Sequence, residues 1–223
     1  MTPGSAPSDT LVDTPITVLH ADDWLVAVDK PSGLLSVPGR GPDKADCAAS
    51  RVQALYPDAQ VVHRLDMGTS GLLVFGRGPA AQRALSIAFA GRRVHKLYLA
   101  QVAGHPATVS GRVDLPLACD WPNRPRQQVD AVHGKPSVTL WRRLEALPGP
   151  LPTARLALRP LTGRSHQLRV HLQAIGHPIL GDELYAPPGV QALAPRLLLH
   201  ATRLRLPHPA DGRWLTLHAP CPF

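Results

Sequence analysis

The run Val61-Val62-His63-Arg64-Leu65-Asp66-Met67-Gly68-Thr69-Ser70-Gly71-Leu72-Leu73-Val74-Phe75 sets one acid, one arginine and a Gly/Ser/Thr turn between two apolar, strand-like segments. A lone carboxylate at a strand-to-turn junction is a candidate for chemistry, since an ionised acid held there serves as nucleophile or base. The alternative is a turn former, because Asp ahead of Gly-Thr-Ser-Gly can bond nearby backbone N–H groups. Taken alone, the run leaves both readings open.

Other stretches accompany it in a fixed order. Lys96-Leu97-Tyr98-Leu99-Ala100 carries a tyrosine on an alternating segment, and Thr162-Gly163-Arg164-Ser165-His166-Gln167-Leu168-Arg169-Val170-His171 is a compact basic motif. With His63-Arg64-Leu65-Asp66 and Thr69-Ser70-Gly71, these resemble the signature of the RluA-type RNA pseudouridine synthases. Asp29-Lys30-Pro31-Ser32-Gly33-Leu34, Gly176-His177-Pro178-Ile179-Leu180-Gly181-Asp182 and Leu198-Leu199-His200-Ala201 match as well, so the resemblance runs from Ile16 to Phe223. It implies an α+β pseudouridine synthase catalytic fold, a mixed, mostly antiparallel sheet flanked by short helices and loops. It also implies an isomerase that uses no cofactor and no metal.

The reaction breaks the C1′–N1 glycosidic bond of a uridine, rotates the uracil while holding it, and forms a C1′–C5 bond. A carboxylate near C1′ acts either as nucleophile or as base for the 2′ proton, and the sequence does not choose between them. Asp66 matches the family's aspartate. A carboxyl in a closed pocket is pushed up by desolvation and pulled down by a cation. Arg169 matches the residue that pairs with the aspartate, on a helix that Ser165 would cap and Gly176 would stop, with Leu168, Leu172 and Ile175 on one stripe. The resemblance implies that Tyr98 stacks on the uracil and helps move the C5 proton; the plain alternative is a buried aromatic with a satisfied hydroxyl. Since a stacked base hides its target atom, the nucleotide must flip out, and Arg64 matches a position that enters the vacated space. A surface ion pair is the alternative for Arg64. Lys96, Arg164 and His166 read as further RNA contacts, the latter two to phosphate or backbone.

Composition agrees with an RNA partner. The formal net charge is +8 and only four of the basic residues are lysines, the rest being arginine, whose planar fork suits phosphate. A GC-rich genome explains the arginine excess equally well. Hydrophobic residues make up 44% of the chain, with no run long enough to span a membrane and no signal peptide, so a soluble cytoplasmic protein is expected. Three cysteines are too few and scattered for a disulfide framework. Residues 1–14 read as a mobile tail and 15–223 as a single catalytic domain, without the S4 domain that many family members carry. The expected partners are RNA stem-loops, acted on by a monomer with no obligate protein partner. Cys119 to Pro125 and Pro195 to Ala201 are similar to a dual-specificity branch of the family, which implies a loop uridine in both 23S rRNA and the tRNA anticodon loop. The same chemistry on another rRNA or tRNA uridine is the alternative.

Local patterns predict strands over Ile16–His20, Leu25–Asp29, Val61–Val62, Leu72–Phe75, Val94–Val102, Val138–Leu144, Ala154–Leu158 and Leu215–His218. Short helices are expected near Ala48–Leu55 and from Pro79 to Gly91. Pro116 to Pro125 reads as an ordered surface loop. Two rival functions account for parts of the sequence. A metal-dependent hydrolase would use His63, Asp66, His166 and His171, but His166 and His171 are five residues apart, unlike the i, i+4 pair of a metal-binding helix. A non-catalytic basic RNA-binding module explains the charge but not the coincidence of Asp66, Tyr98 and Arg169.

Overall fold

In the computed structural model of the chain, the two apolar runs around Ala21-Asp22-Asp23 form a hairpin, β1 (Thr17–Ala21) and β2 (Leu25–Lys30). The structure describes residues 15–41, 44–147 and 151–223; the tail expected over 1–14 lies outside the described residues. Helix α1 (Ala48–Leu55) is capped by Cys47, whose Sγ accepts the Ser50 N–H, and it stops ahead of Pro57. Strands β3 (Ala59–Val61) and β4 (Ser70–Arg77) flank the Asp66 turn, and Pro79 sits in the first turn of α2 (Gly78–Ala90). Then come β5 (His95–Ala103), β6 (Ser110–Asp114), a small hairpin of β7 (Leu117–Cys119) and β8 (Gln127–Val129), β9 (Val138–Leu147) and β10 (Thr153–Pro160). Helices α3 (Gln167–Ala174) and α4 (Pro188–Gln191) precede β11 (Leu199–Pro207) and β12 (Trp214–His218).

Ten strands join one sheet in the order β1-β2-β4-β11-β5-β10-β9-β6, with β12 on β11 and β3 on β4. Every pairing in it is antiparallel except β4 with β11, which run parallel with Ser70 opposite His200 and Gly71 opposite Ala201. The mixed, mostly antiparallel sheet is therefore present. Gly71 is required at this junction: its φ is +108°, and a Cβ there would overlap the Ala201 backbone.

Among the described residues two large apolar cores lie along the sheet, and a third, small cluster joins Leu117, Val170 and Tyr185. One large core joins β2, β4, α1 and α2 through Val26, Val28, Leu73, Phe75, Val52 and Leu85; the other joins β5, β10 and α3 through Ala100, Leu156, Leu158, Leu168 and Leu172. Tyr98 packs against both, so the middle of β5 marks the seam between them. Alternation along β5 turns Lys96, Tyr98 and Ala100 to one face, as the sequence pattern predicts.

The third helix starts at Gln167, not behind a Ser165 cap; His166 is its N-cap residue, in the left-handed region at φ 52° and without a side-chain cap bond. Gln167 organises the helix entry instead. Its Oε1 accepts the Arg164 N–H and the Thr162 hydroxyl, while its amide donates to Val138 O and Thr139 Oγ1. A side chain already bonded into the sheet fixes this turn more firmly than the exposed Ser165 hydroxyl.

Candidate active site

Asp66 sits on a loop buckled to the segment after β2. Lys30 Nζ donates to Pro31 O, Leu34 O and, at 3.0 Å, Met67 O, while Ser32 Oγ donates to Gly68 O at 2.7 Å. Gly33 N bonds Met67 O, and Ser36 Oγ both donates to Leu65 O and accepts the Leu65 N–H. Asp66 O in turn accepts the Thr69 N–H. Lys30 is wholly buried, and burial draws its ammonium down to about 7 against the opposing pull of Asp66 and Asp29. The Asp-Lys-Pro-Ser-Gly-Leu stretch thus has a job: it holds the backbone on both sides of Asp66.

The Asp66 carboxylate looks onto two donors. Arg169 Nη1 lies 3.6 Å from Oδ2 and His166 Nε2 lies 4.0 Å from Oδ1. Neither distance is a hydrogen bond, and about a quarter of the Asp66 side chain is open to solvent (27%). Both donors are fixed from behind. Arg169 makes a bidentate pair with the fully buried Asp182, Nε to Oδ2 at 2.8 Å and Nη2 to Oδ1 at 2.7 Å, leaving Nη1 to face Asp66. Burial pushes the guanidinium down, and Asp182 more than offsets it, so Arg169 stays a cation. His166 Nδ1 is 2.7 Å from the Tyr185 hydroxyl, which also accepts the Gln127 N–H at 2.7 Å. Asp182 Oδ1 further accepts the Leu184 and Tyr185 amides, so one turn steadies both donors. Gly181 makes that turn possible, at φ +70° with the Arg196 carbonyl where a Cβ would be.

Tyr98 belongs to the same place. Burial first, and then the Asp66 charge, push its phenol well above the ordinary tyrosine range. Its ring packs against both of the large apolar cores. Arg64 and Arg164 are exposed, and no ion pair holds Arg64 among the described residues, as a surface pair would require. Two positions differ from the simple RNA-contact reading. Lys96 is half-buried, with Nζ donating to Thr162 O at 3.2 Å and burial lowering its ammonium to about 8, so it braces the entry to α3. The His166 side chain is only 13% exposed and is engaged with Tyr185, which places it in the wall of the site.

The residues of the metal reading do not converge. His63 Nε2 accepts the Val74 N–H and its ring stacks on Phe89, while His171 bonds Thr139 Oγ1 and Leu115 O. Asp182, Tyr185 and the Lys30 buckle were missed as working residues. Their motifs were visible, but an acid after Gly181 reads as a turn former until its arginine is seen. Ser70, whose hydroxyl is 2.9 Å from His200 Nδ1 and takes a 3.3 Å bond from Arg196, likewise gains its role only when β11 pairs with β4.

Residues 24–174 match the RNA pseudouridylate synthase family, a span that contains Asp66, Tyr98 and Arg169. The chain belongs to that family. It is 52% identical over 208 residues to the dual-specificity RNA pseudouridine synthase RluA of Escherichia coli (strain K12), covering 93% of this chain and 94% of that one. The RluA of Vibrio vulnificus (strain CMCP6) is also 52% identical, over 92% of this chain and 83% of its own. Among solved structures, human RNA Pseudouridylate Synthase Domain Containing 1 superposes with a TM-score of 0.78 at 29% identity, covering 100% of this chain and 87% of that chain. The protein is thus an RluA-type RNA pseudouridine synthase, an isomerase acting on RNA, with the family's catalytic fold.

Proposed function

We propose that this pseudouridine synthase has dual specificity, isomerising one loop uridine in 23S rRNA and one in the tRNA anticodon loop, and that it does so as a cytoplasmic monomer. The identity with the dual-specificity E. coli enzyme over nearly the whole of both chains carries this reading. In the reaction the C1′–N1 bond breaks, the uracil turns, a C1′–C5 bond forms, and the proton lost from C5 is balanced by one gained at N1. Nothing is oxidised or reduced.

Asp66 is the reacting carboxylate, meeting the sugar at C1′ or removing the 2′ proton. Its open edge, its rigid loop and the Arg169 cation at 3.6 Å support both routes. Tyr98 stacks on the uracil from the seam of the two cores, and its neutral hydroxyl relays the C5 proton, taking it up as its own proton is passed on. Exposed Arg64, two residues before Asp66, fills the gap left by the flipped nucleotide, while Arg164 meets phosphate.

Two measurements test the assignment. Pseudouridine mapped at nucleotide resolution in total RNA, with and without the gene, should lose one 23S rRNA site and tRNA anticodon-loop sites together; loss in only one RNA class removes dual specificity. Asp66→Asn should abolish isomerisation while RNA still binds, because many arginines carry affinity and one carboxylate carries the bond-breaking step. Retention of even a few per cent of turnover would show that another group does the chemistry.

A further inference from the structure

Each oxygen of the Asp66 carboxylate faces one nitrogen donor, and the two donors are secured differently. Arg169 is a permanent cation, clamped at two nitrogens by Asp182. His166 has a choice of tautomers, and the structure makes that choice through Tyr185. The Tyr185 oxygen accepts the Gln127 N–H at 2.7 Å, and its own proton has one described acceptor within reach, His166 Nδ1 at 2.7 Å. With Nδ1 accepting, the single imidazole proton resides on Nε2, the nitrogen turned toward Asp66 Oδ1 at 4.0 Å. An N–H on Nδ1 would instead leave the Tyr185 proton without a partner inside the wall.

The backbone supports the same conclusion. His166 is one of two non-glycine residues with positive φ among those described, and a side chain in that region costs free energy that the surroundings must offset. The conformation lets one ring bridge Tyr185 on one edge and Asp66 on the other. The ring packs edge-on to Tyr185 at 5.6 Å, and the Tyr185 face is itself covered by Arg169 at 5.0 Å and Arg126 at 5.5 Å.

We infer that Tyr185 is a positioning residue that holds His166 in its neutral Nε2–H form with that N–H turned toward Asp66 Oδ1, so that His166 and Arg169 together fix the carboxylate once bound substrate draws the three into hydrogen-bond range. The inference rests on Asp66 being the reacting carboxylate. A neutral donor orients the carboxylate without quenching it, whereas an imidazolium on Oδ1 beside the Arg169 cation on Oδ2 would leave Asp66 a poor nucleophile and a poor base. The charged and titratable groups facing His166 are Asp66 from the β3–β4 loop, Arg169 from α3, and Asp182 and Tyr185 from the turn beyond it. Burial first, and then Arg169, hold the imidazole below its ordinary value; Asp66 and Asp182 pull the other way.

A lowered imidazole is neutral at neutral pH, and activity that needs the neutral form falls only when pH drops through that lowered value. Tyr185→Phe keeps the ring under both arginines and deletes the proton that engages Nδ1. Nδ1 is then free to protonate, so the acid limb of kcat should move up toward neutrality. Single-turnover kcat at neutral pH should fall by about tenfold to a hundredfold, the cost of a loosened reacting group, with the RNA Kd unchanged. His166→Gln supplies an amide N–H that does not titrate: it should recover much of the rate relative to His166→Phe and erase the acid limb assigned to the imidazole.

All variants are assayed on an RNA stem-loop that the wild-type enzyme modifies, beside Asp66→Asn. If Asp66→Asn stays active, the carboxylate assignment itself is wrong. With Asp66→Asn inactive, a Tyr185→Phe enzyme of wild-type kcat and pH profile overturns the present inference alone. So does a loss of rate matched by an equal loss of RNA affinity with no movement of the acid limb, which marks a purely structural tyrosine. If Tyr185→Phe fails to fold, the His166→Gln and His166→Phe pair decides, and equal rates in the two overturn it.

Discussion

Tyr98 offers the sharpest test at the scale of single residues, because its ring and its hydroxyl do separable work. Burial and the nearby Asp66 charge keep the phenol protonated through the whole working pH range, so a Tyr98 that moves the C5 proton passes its own proton on as it takes that one up, rather than acting as a phenolate base. Tyr98→Phe retains the stacking face, worth about 1–3 kcal/mol per base, and removes only the O–H. RNA affinity should therefore hold while the single-turnover rate falls. The rate falls at every pH, since no ionisation of Tyr98 lies in range to produce a limb. Equal rates for the two enzymes would make Tyr98 a stacking platform and move the C5 proton to another acceptor.

The loop that carries Asp66 is only as rigid as its buckle, and Lys30 is the buckle's buried charge. Its ammonium lies at about 7 when folded against an ordinary 10.5, so between those values the unfolded chain binds the extra proton. Stability should thus rise with pH across that window, with Lys96 adding the same sign above about 8. Lys30→Met should flatten the Lys30 part of that rise and, by leaving the Pro31, Leu34 and Met67 carbonyls without their donor, destabilise the fold by about 2–4 kcal/mol. Urea unfolding of both proteins across the window checks slope and offset. Elements of this kind divide by how local their signal is. The β1–β2 hairpin, α1, α2, β5, β9 and β10 were legible because alternation or helical spacing runs between Pro and Gly breaks. Strand β11 starts in a motif that carries no strand signal, since its first residues are buried on both faces and show no alternation; two of its partners, β4 and β5, lie far back in sequence. Asp66, Tyr98 and Arg169 stand out through their motifs. Asp182 and Tyr185 do not, because their work is to hold other side chains, and such contacts appear only when the chain closes on itself.

Across the whole molecule, a formal charge of +8 meets an active site set in the seam of a single sheet. On the proposed function the charge supplies affinity through phosphate contacts, which release counterions and weaken as salt rises, whereas the site supplies chemistry on one flipped base. A folded chain of this length has a radius of gyration of about 17 Å, so its footprint spans little more than a stem end and its loop. Loop bases are also cheaper to unstack than paired ones, and sequence-specific RNA recognition favours such exposed bases. Synthetic anticodon-arm and 23S rRNA hairpins should therefore each suffice as substrates, with saturating single-turnover rates close to those on the full RNAs. Added salt should weaken binding of both hairpins while leaving those saturating rates nearly unchanged. A strict need for an assembled ribosomal subunit, or modification confined to duplex uridines, would overturn the stem-loop assignment, and a saturating rate that fell as steeply as affinity would show that the arginines act in the chemical step as well as in binding.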